Sequence, residues 1–224
     1  MSLTLLIAGA GVAVVSYMAV RDHRAAIRAR HSLLDDCKGA FDHAELSRGA
    51  DGFPQISGPH RGRWVQAQLL LDTLTMRRLP QLWLSTTLLE RNPGLPGMAI
   101  LVRHNGSEFY SLTSHFDHRI DTPLGLPQEV VIRGEPGAAT LLAKLTPMVS
   151  DILGDARVKE IAITDRGLRI VRQACEGKRG DHLLLRQSVF ENAQVPRADL
   201  TRILDQLSSM SAIVNAHQRT QAAA

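Results

Sequence analysis

The sequence predicts an α+β fold: an antiparallel sheet with helices on one face, preceded by a single N-terminal transmembrane helix. Three observations carry that prediction. The first twenty residues contain no ionisable side chain. Beyond residue 52, short apolar or alternating runs bounded by glycine, proline and asparagine recur without strict strand-helix alternation, which favours antiparallel pairing. Two longer stretches, 134–155 and 196–214, instead space their apolar residues as helices do. With 44% hydrophobic and 21% charged residues among 224, the composition is that of a globular protein and excludes a disordered or fibrous one.

The opening run MSLTLLIAGAGVAVVSYMAV, at about 1.5 Å per residue, spans the roughly 30 Å hydrocarbon core of a bilayer. A dinucleotide-binding turn fits it less well. Gly9 and Gly11 are present, but Val14 stands where a third small residue is needed, and no second apolar strand ending in an acid follows. A cleaved signal peptide begins with a positive segment, and no Lys or Arg precedes the run. Residues 1–20 therefore read as an uncleaved anchor whose partner is the lipid bilayer. Arg21, Arg24, Arg28 and Arg30 follow it with only Asp22 opposing, which places the N-terminus outside and the body in the cytoplasm. The same arginines are candidate contacts for anionic headgroups. Gly9 and Ala13 form a small-xxx-small pair, the spacing that lets the helices of a homodimer approach closely.

Residues 21–51 read as a juxtamembrane helical connector that breaks near Gly39 or Gly49, with Leu33, Leu34, Ala40 and Phe41 available to pack. Residues 52–218 form the cytoplasmic α+β domain, and 219–224 a flexible tail. Within the domain, GFPQISGPHRGR predicts a hairpin through Gly58 to Gly62 into the strand WVQAQLLL. QLWLSTTLLE is the next strand, entered through Pro80, which holds Leu79 extended. MAILVRH and EFYSLT are expected to pair across Asn105-Gly106, a dipeptide suited to a turn with two positive φ angles. After a loop over 114–127, QEVVIRG is a strand.

Leu141, Leu142, Leu145, Met148, Val149, Ile152 and Leu153 then mark a helix that Pro147 is expected to end or kink. VKEIAIT and LRIVRQA form a hairpin about Asp165-Arg166-Gly167, and the alternation of Ile161, Ile163, Leu168 and Ile170 predicts one buried and one wet face. HLLLRQSVF is a further strand. The chain closes with a helix from about Pro196, its apolar stripe formed by Leu200, Ile203, Leu204, Leu207, Met210, Ile213 and Val214.

Chemistry-bearing residues are sparse. Cys37 and Cys175 lie far apart, without the spacing of a disulfide scaffold or metal site, and are expected to be reduced thiols. Arg172 and Lys178 near Cys175 could lower its pKa, although a lone cysteine more often packs as a small apolar group. The segment LTSHFDH resembles the end of the metal-binding signature of metallo-β-lactamase-fold hydrolases, with His115, Asp117 and His118 in register. Thr113 occupies the place of that signature's first histidine, and Arg119-Ile120 that of its glycines. The resemblance implies a degenerate metal-dependent hydrolytic site.

No Gly-x-Ser-x-Gly elbow occurs, and GEPGAATLL lacks the lysine of a phosphate-binding loop. A net charge of +4 and the group Arg61, Arg63, Arg77, Arg78 and Trp64 could suggest nucleic acid. However, acidic residues are interspersed and aromatics make up only 4%, so no nucleic-acid platform and no cofactor are expected. The leading functional expectation is a single-pass membrane-anchored interaction module for an unidentified membrane or cytoplasmic protein. A metal-dependent hydrolase at His115, Asp117 and His118, or an anionic-lipid surface sensor, are the alternatives.

Overall fold

The computed structural model describes residues 11, 13–14, 16–18, 20–21, 30–49, 52–73, 79–177, 190 and 194–222. The fold is α+β, built on one nine-stranded, wholly antiparallel sheet. Its strands are β1 (Glu45–Arg48), β2 (Pro54–His60), β3 (Arg63–Asp72), β4 (Gln81–Leu89), β5 (Met98–Val102), β6 (His118–Arg119), β7 (Val130–Gly134), β8 (Val158–Thr164) and β9 (Gly167–Glu176). They lie in the order β1-β2-β3-β4-β9-β8-β5-β7-β6. Two helices, α1 (Ala138–Leu153) and α2 (Arg197–Ala222), pack on each other, α2 also lying against β4 and β9 and α1 against β8.

The expected hairpin about residues 58–62 is present as a two-residue turn. Arg61 (φ 50°) and Gly62 (φ 76°) are both left-handed between the paired His60 and Arg63, the conformation whose twist suits a two-residue hairpin. A non-glycine residue here is strained, and the Arg61 guanidinium reaches Asp205 of α2 at 2.8 Å. The β8-β9 hairpin also forms as read. At Gly167 (φ 146°) a Cβ would stand 2.1 Å from the Leu88 carbonyl, so only glycine fits the turn.

Asn105-Gly106 does not join two strands. EFYSLT forms a turn and a short 3-10 segment, Leu112–His115, while β5 pairs with β7 and β8. Only Gly106 of the pair takes positive φ, because the Asn105 side chain accepts from the Ser107 amide at 3.1 Å and its own amide donates to the Glu108 carboxylate at 3.0 Å. The Glu108 side chain is 1% exposed on Lys159, so this local knot is tied down to the sheet.

Pro147 does not end its helix, which runs on to Leu153. The carbonyl it leaves without an amide belongs to Ala143, which is exposed, while Leu141, Leu142, Leu145, Val149 and Ile152 bury on the other side. Neither face of β8-β9 is wet: Lys159, Glu160 and Arg172 are at most 3% exposed.

The sheet starts before residue 52, at Glu45. Within the expected connector, residues 21, 30 and 31 are helical, and two 3-10 turns over 32–34 and 36–40 follow before Gly49, with Leu33, Leu34 and Cys37 in the core. Residues 219–222 of the expected tail continue α2. The expected strand HLLLRQSVF lies outside the described residues apart from Phe190.

One core joins the inner face of β2–β5 and β7–β9 to α1 and α2. The stripe of α2 is buried as its spacing predicts, except that Ile213 is only partly covered. Burying each such side chain stabilises the fold by roughly 1.5–3 kcal/mol. On the outer face the loop 103–117 covers β5 and β8 with Leu112 and Phe116, and Tyr110 packs on Trp83 of β4 and Val171 of β9.

Among the described residues no helix is long and apolar enough to cross a membrane. Much of the expected anchor lies outside them. The described positions from 11 to 21 are helical and exposed, including Val14, Tyr17, Met18 and Val20.

Candidate functional site

The segment 111–119 buries Ser111, Thr113 and Phe116 and exposes residues 114–115 and 117–119. Ser111 opens the 3-10 turn, its hydroxyl accepting from the Thr113 amide at 3.1 Å and lying 2.7 Å from the Thr113 hydroxyl. Phe116 closes it, buried against Ala99 and Ala162, and a Cβ on Gly97 would meet the Phe116 ring at 2.8 Å. With Thr113 and Phe116 facing inward, His115, Asp117 and His118 are exposed, and β6 pairs His118 with Gly134. Among the described residues no three His, Cys, Asp or Glu side chains gather as metal ligands do.

Of the membrane-surface candidates, Arg21 is helical and exposed, and the Arg30 guanidinium stands 5.4 Å from the centroid of the Phe53 ring, within cation-π range. Arg24 and Arg28 lie outside the described residues. Of the helix-packing pair, Ala13 is helical and exposed and Gly9 lies outside.

The structure instead assembles two buried ionic networks. On the outer face, Lys159 Nζ donates to the Arg103 carbonyl at 2.5 Å and lies 2.8 Å from Glu108. Next to it, the fully buried Glu160 carboxylate accepts from Arg169 at 2.5 Å and from the Leu112 amide at 3.1 Å, and Arg169 also reaches the Tyr110 carbonyl. Burial pushes the Glu108 carboxyl up, but the Lys159 ammonium and the Asn105 amide outweigh it, and the group lies below its usual range. These charges staple the loop 103–117 to β8 and β9.

On the inner face Arg172 of β9 bridges two carboxylates, its Nε at 2.7 Å from Asp155 and its Nη1 at 2.9 Å from Asp199 in the first turn of α2. Burial raises the Asp155 carboxyl, and the Arg157 amide together with Arg172 more than reverses that. Asp199 additionally favours the positive end of the α2 dipole. At the same helix end the Asp36 carboxylate accepts from the Arg197 amide at 2.6 Å, the Cys37 thiol donates to the Val195 carbonyl, and Val195 donates to Leu33. The α2 N-terminus is thereby tied to the chain just after the expected anchor. Burial, with Asp36 and Asp199 nearby, pushes the Cys37 thiol up to about 12, which favours the thiol over the thiolate.

Sequence reasoning singled out Arg172 and Cys37 for other reasons and missed the networks themselves. Charged residues inside strand-like runs read as a wet face, and only the packing of loop and helix shows them buried. The one available signal was their density, with Lys159, Glu160, Arg169 and Arg172 interrupting two otherwise apolar strands. An open groove of about 930 Å³ also runs between the helices, lined by Met148, Asp151 and Ile152 of α1 and by Arg197, Arg202 and Asp205 of α2. Both signs of charge line it. No protein-family model matches the chain, and no curated protein matches it.

Proposed function

We propose that the chain is a single-pass membrane-tethered interaction module, its N-terminus outside and its α+β body in the cytoplasm, presenting that body to other proteins. The observation that carries this reading is the twenty-residue run without an ionisable side chain, followed by Arg21, Arg24, Arg28 and Arg30. Exposed Val14, Tyr17, Met18 and Val20 on the described helical positions support it, since an apolar helical surface outside the core is suited to lipid. The body's buried charges are engaged with one another and with backbone groups, as a rigid scaffold requires, and Asp36 and Cys37 couple that scaffold to the segment behind the run.

Alkaline carbonate extraction of membranes carrying the full chain tests the tether, and reporter fusions after residue 224 test the orientation. Retention in the membrane fraction, with activity only from a reporter that works in the cytoplasm, is expected. Release by carbonate would refute the tether, and activity of a reporter restricted to the outside would refute the orientation.

A further inference from the structure

Of the four asparagines in the sequence, Asn105 alone is followed by glycine; Pro93 follows Asn92, and alanines follow Asn192 and Asn215. The Asn105-Gly106 dipeptide is exposed, and among the described residues nothing stands within 4 Å of where a Cβ on Gly106 would lie, so water reaches it. The Asn105 side chain folds back over the Gly106 peptide, its Oδ1 accepting from the Ser107 amide at 3.1 Å and from the Ser107 hydroxyl at 2.7 Å. Asn215 is held differently: it lies within α2, and its Nδ2 donates to Glu90 at 2.9 Å and to Ser211 at 3.1 Å.

An asparagine cyclises when the next residue's backbone nitrogen reaches its side-chain carbonyl carbon, and the missing Cβ of a following glycine leaves that approach open. Nucleophile and carbon belong to one five-membered ring, and a turn that folds the side chain over the next peptide keeps them neighbours, so closure costs little orientational freedom. Charge develops on Oδ1 as the bond forms, and both Ser107 donors already point at that oxygen. We propose that Asn105 is a site of self-modification, where water replaces the side-chain amide and loosens the loop 103–117 from the sheet. The Gly106 nitrogen loses its proton to hydroxide and bonds to Cγ. The Cγ–Nδ2 bond then breaks, ammonia leaves with a proton from water, which regenerates the hydroxide, and a succinimide remains. Water opens that ring at either carbonyl, giving aspartate or isoaspartate at position 105. One water is consumed and one ammonia released, with no change of oxidation state. The inference stands independently of the tether and of the interaction module.

The loop has little room for either product. The Asn105 amide donates to the Glu108 carboxylate at 3.0 Å, and that side chain, 1% exposed, holds Lys159 at 2.8 Å and His104 at 3.0 Å. Isoaspartate lengthens the main chain by one methylene inside this short span, and either product sets a second carboxylate close to Glu108. The added charge repels Glu108 from its place on Lys159. The staple weakens, and with it the seating of Leu112 and Phe116 over β5 and β8.

Warm incubation of the full chain in a mild detergent at mildly alkaline pH, followed by peptide mass spectrometry, tests this. Asn105 of the native chain is expected to convert at least about tenfold faster than Asn215 in the same sample, and no more slowly than in the chain unfolded by urea. A native rate well below the unfolded one would mean that the turn protects Asn105, and overturns the proposal. Ser107→Ala keeps the amide donor but loses the hydroxyl. It should slow native conversion at least about threefold, less than in an enclosed oxyanion site because water replaces the donor. Ser107→Thr, which keeps a hydroxyl, should convert at the parent rate. An unchanged rate in Ser107→Ala overturns the part given to the turn, and an equal loss in both variants does the same by assigning the effect to altered folding. Converted chain, separated by anion exchange, should show faster hydrogen exchange at the Leu112 amide, which donates to Glu160, than unconverted chain. Equal exchange in the two fractions overturns the loosening of the loop.

Discussion

Arg172→Met isolates the inner ionic network. The methionine keeps an apolar stem of similar reach, so the change removes charge and hydrogen bonds more than packing volume. The arginine side chain is only 4% exposed, and its loss leaves Asp155 and Asp199 without their shared cation. Breaking a buried pair costs about 3–5 kcal/mol when the abandoned charge is fully enclosed. Here Asp155 is 23% and Asp199 18% exposed, so water hydrates both in part, and Arg157 remains 3.5 Å from each. The expected cost is therefore at the lower end, about 3 kcal/mol at neutral pH. Acid gives an independent readout. The Asp155 carboxyl is held below its ordinary value in the folded chain, so its contribution is complete above the unfolded pKa of about 3.9 and is lost as pH falls through the lower folded value. Without Arg172 that acid limb should flatten, since most of the stabilisation it reports is already gone. Urea unfolding of the full chain, followed by the fluorescence of buried Trp83 at neutral and acid pH, measures both effects. A neutral-pH loss below about 0.5 kcal/mol, the range of ordinary surface substitutions, would refute the assignment of the network to stability.

Three further outcomes are expected. Leu204→Ala, at a 1%-exposed position facing the sheet, should cost about 2–5 kcal/mol independently of protein concentration, and a midpoint that moved with concentration would place the stripe between subunits instead. Cys37 should resist a thiol reagent at pH 8 in the folded chain and react only in denaturant, leaving at most the half-buried Cys175 reactive; native-state labelling of Cys37 counted by mass spectrometry would contradict its burial. His217 is 2% exposed with no hydrogen-bond partner for either ring nitrogen among the described residues, and burial together with Lys144 lowers its pKa below 6.5. The unfolded chain therefore binds the extra proton first, so stability should fall as pH drops from about 6.5 through the lower folded value. His217→Leu should abolish that fall without loss at pH 7, and an unchanged pH profile in the variant would exclude His217 as its source.

Where a pattern depends only on neighbours in the chain, the sequence was legible. The α2 stripe, the Arg61-Gly62 and Asp165-Arg166-Gly167 turns and the strands β2–β5 follow from spacing and turn chemistry, because a period of 3.6 or 2 and a required positive φ are local properties. Asn105-Gly106 was misleading because its turn chemistry is local, whereas Glu108, which captures the Asn105 amide, is held by Lys159 from a strand fifty residues away. As a helix terminator Pro147 was overruled by the burial of both flanking turns of α1.

The candidate site divides in the same way. From the motif alone, His115, Asp117 and His118 form one constellation; in the fold, the inward anchors Thr113 and Phe116 turn them outward. By itself the sequence determined the class of fold, most of its elements and the uncharged N-terminal run, all consequences of composition and short-range periodicity. Only the tertiary structure decided which charges are buried in pairs, because burial depends on what a distant segment lays over a residue, and the strand order brings β9 beside β4 across nearly eighty residues of chain.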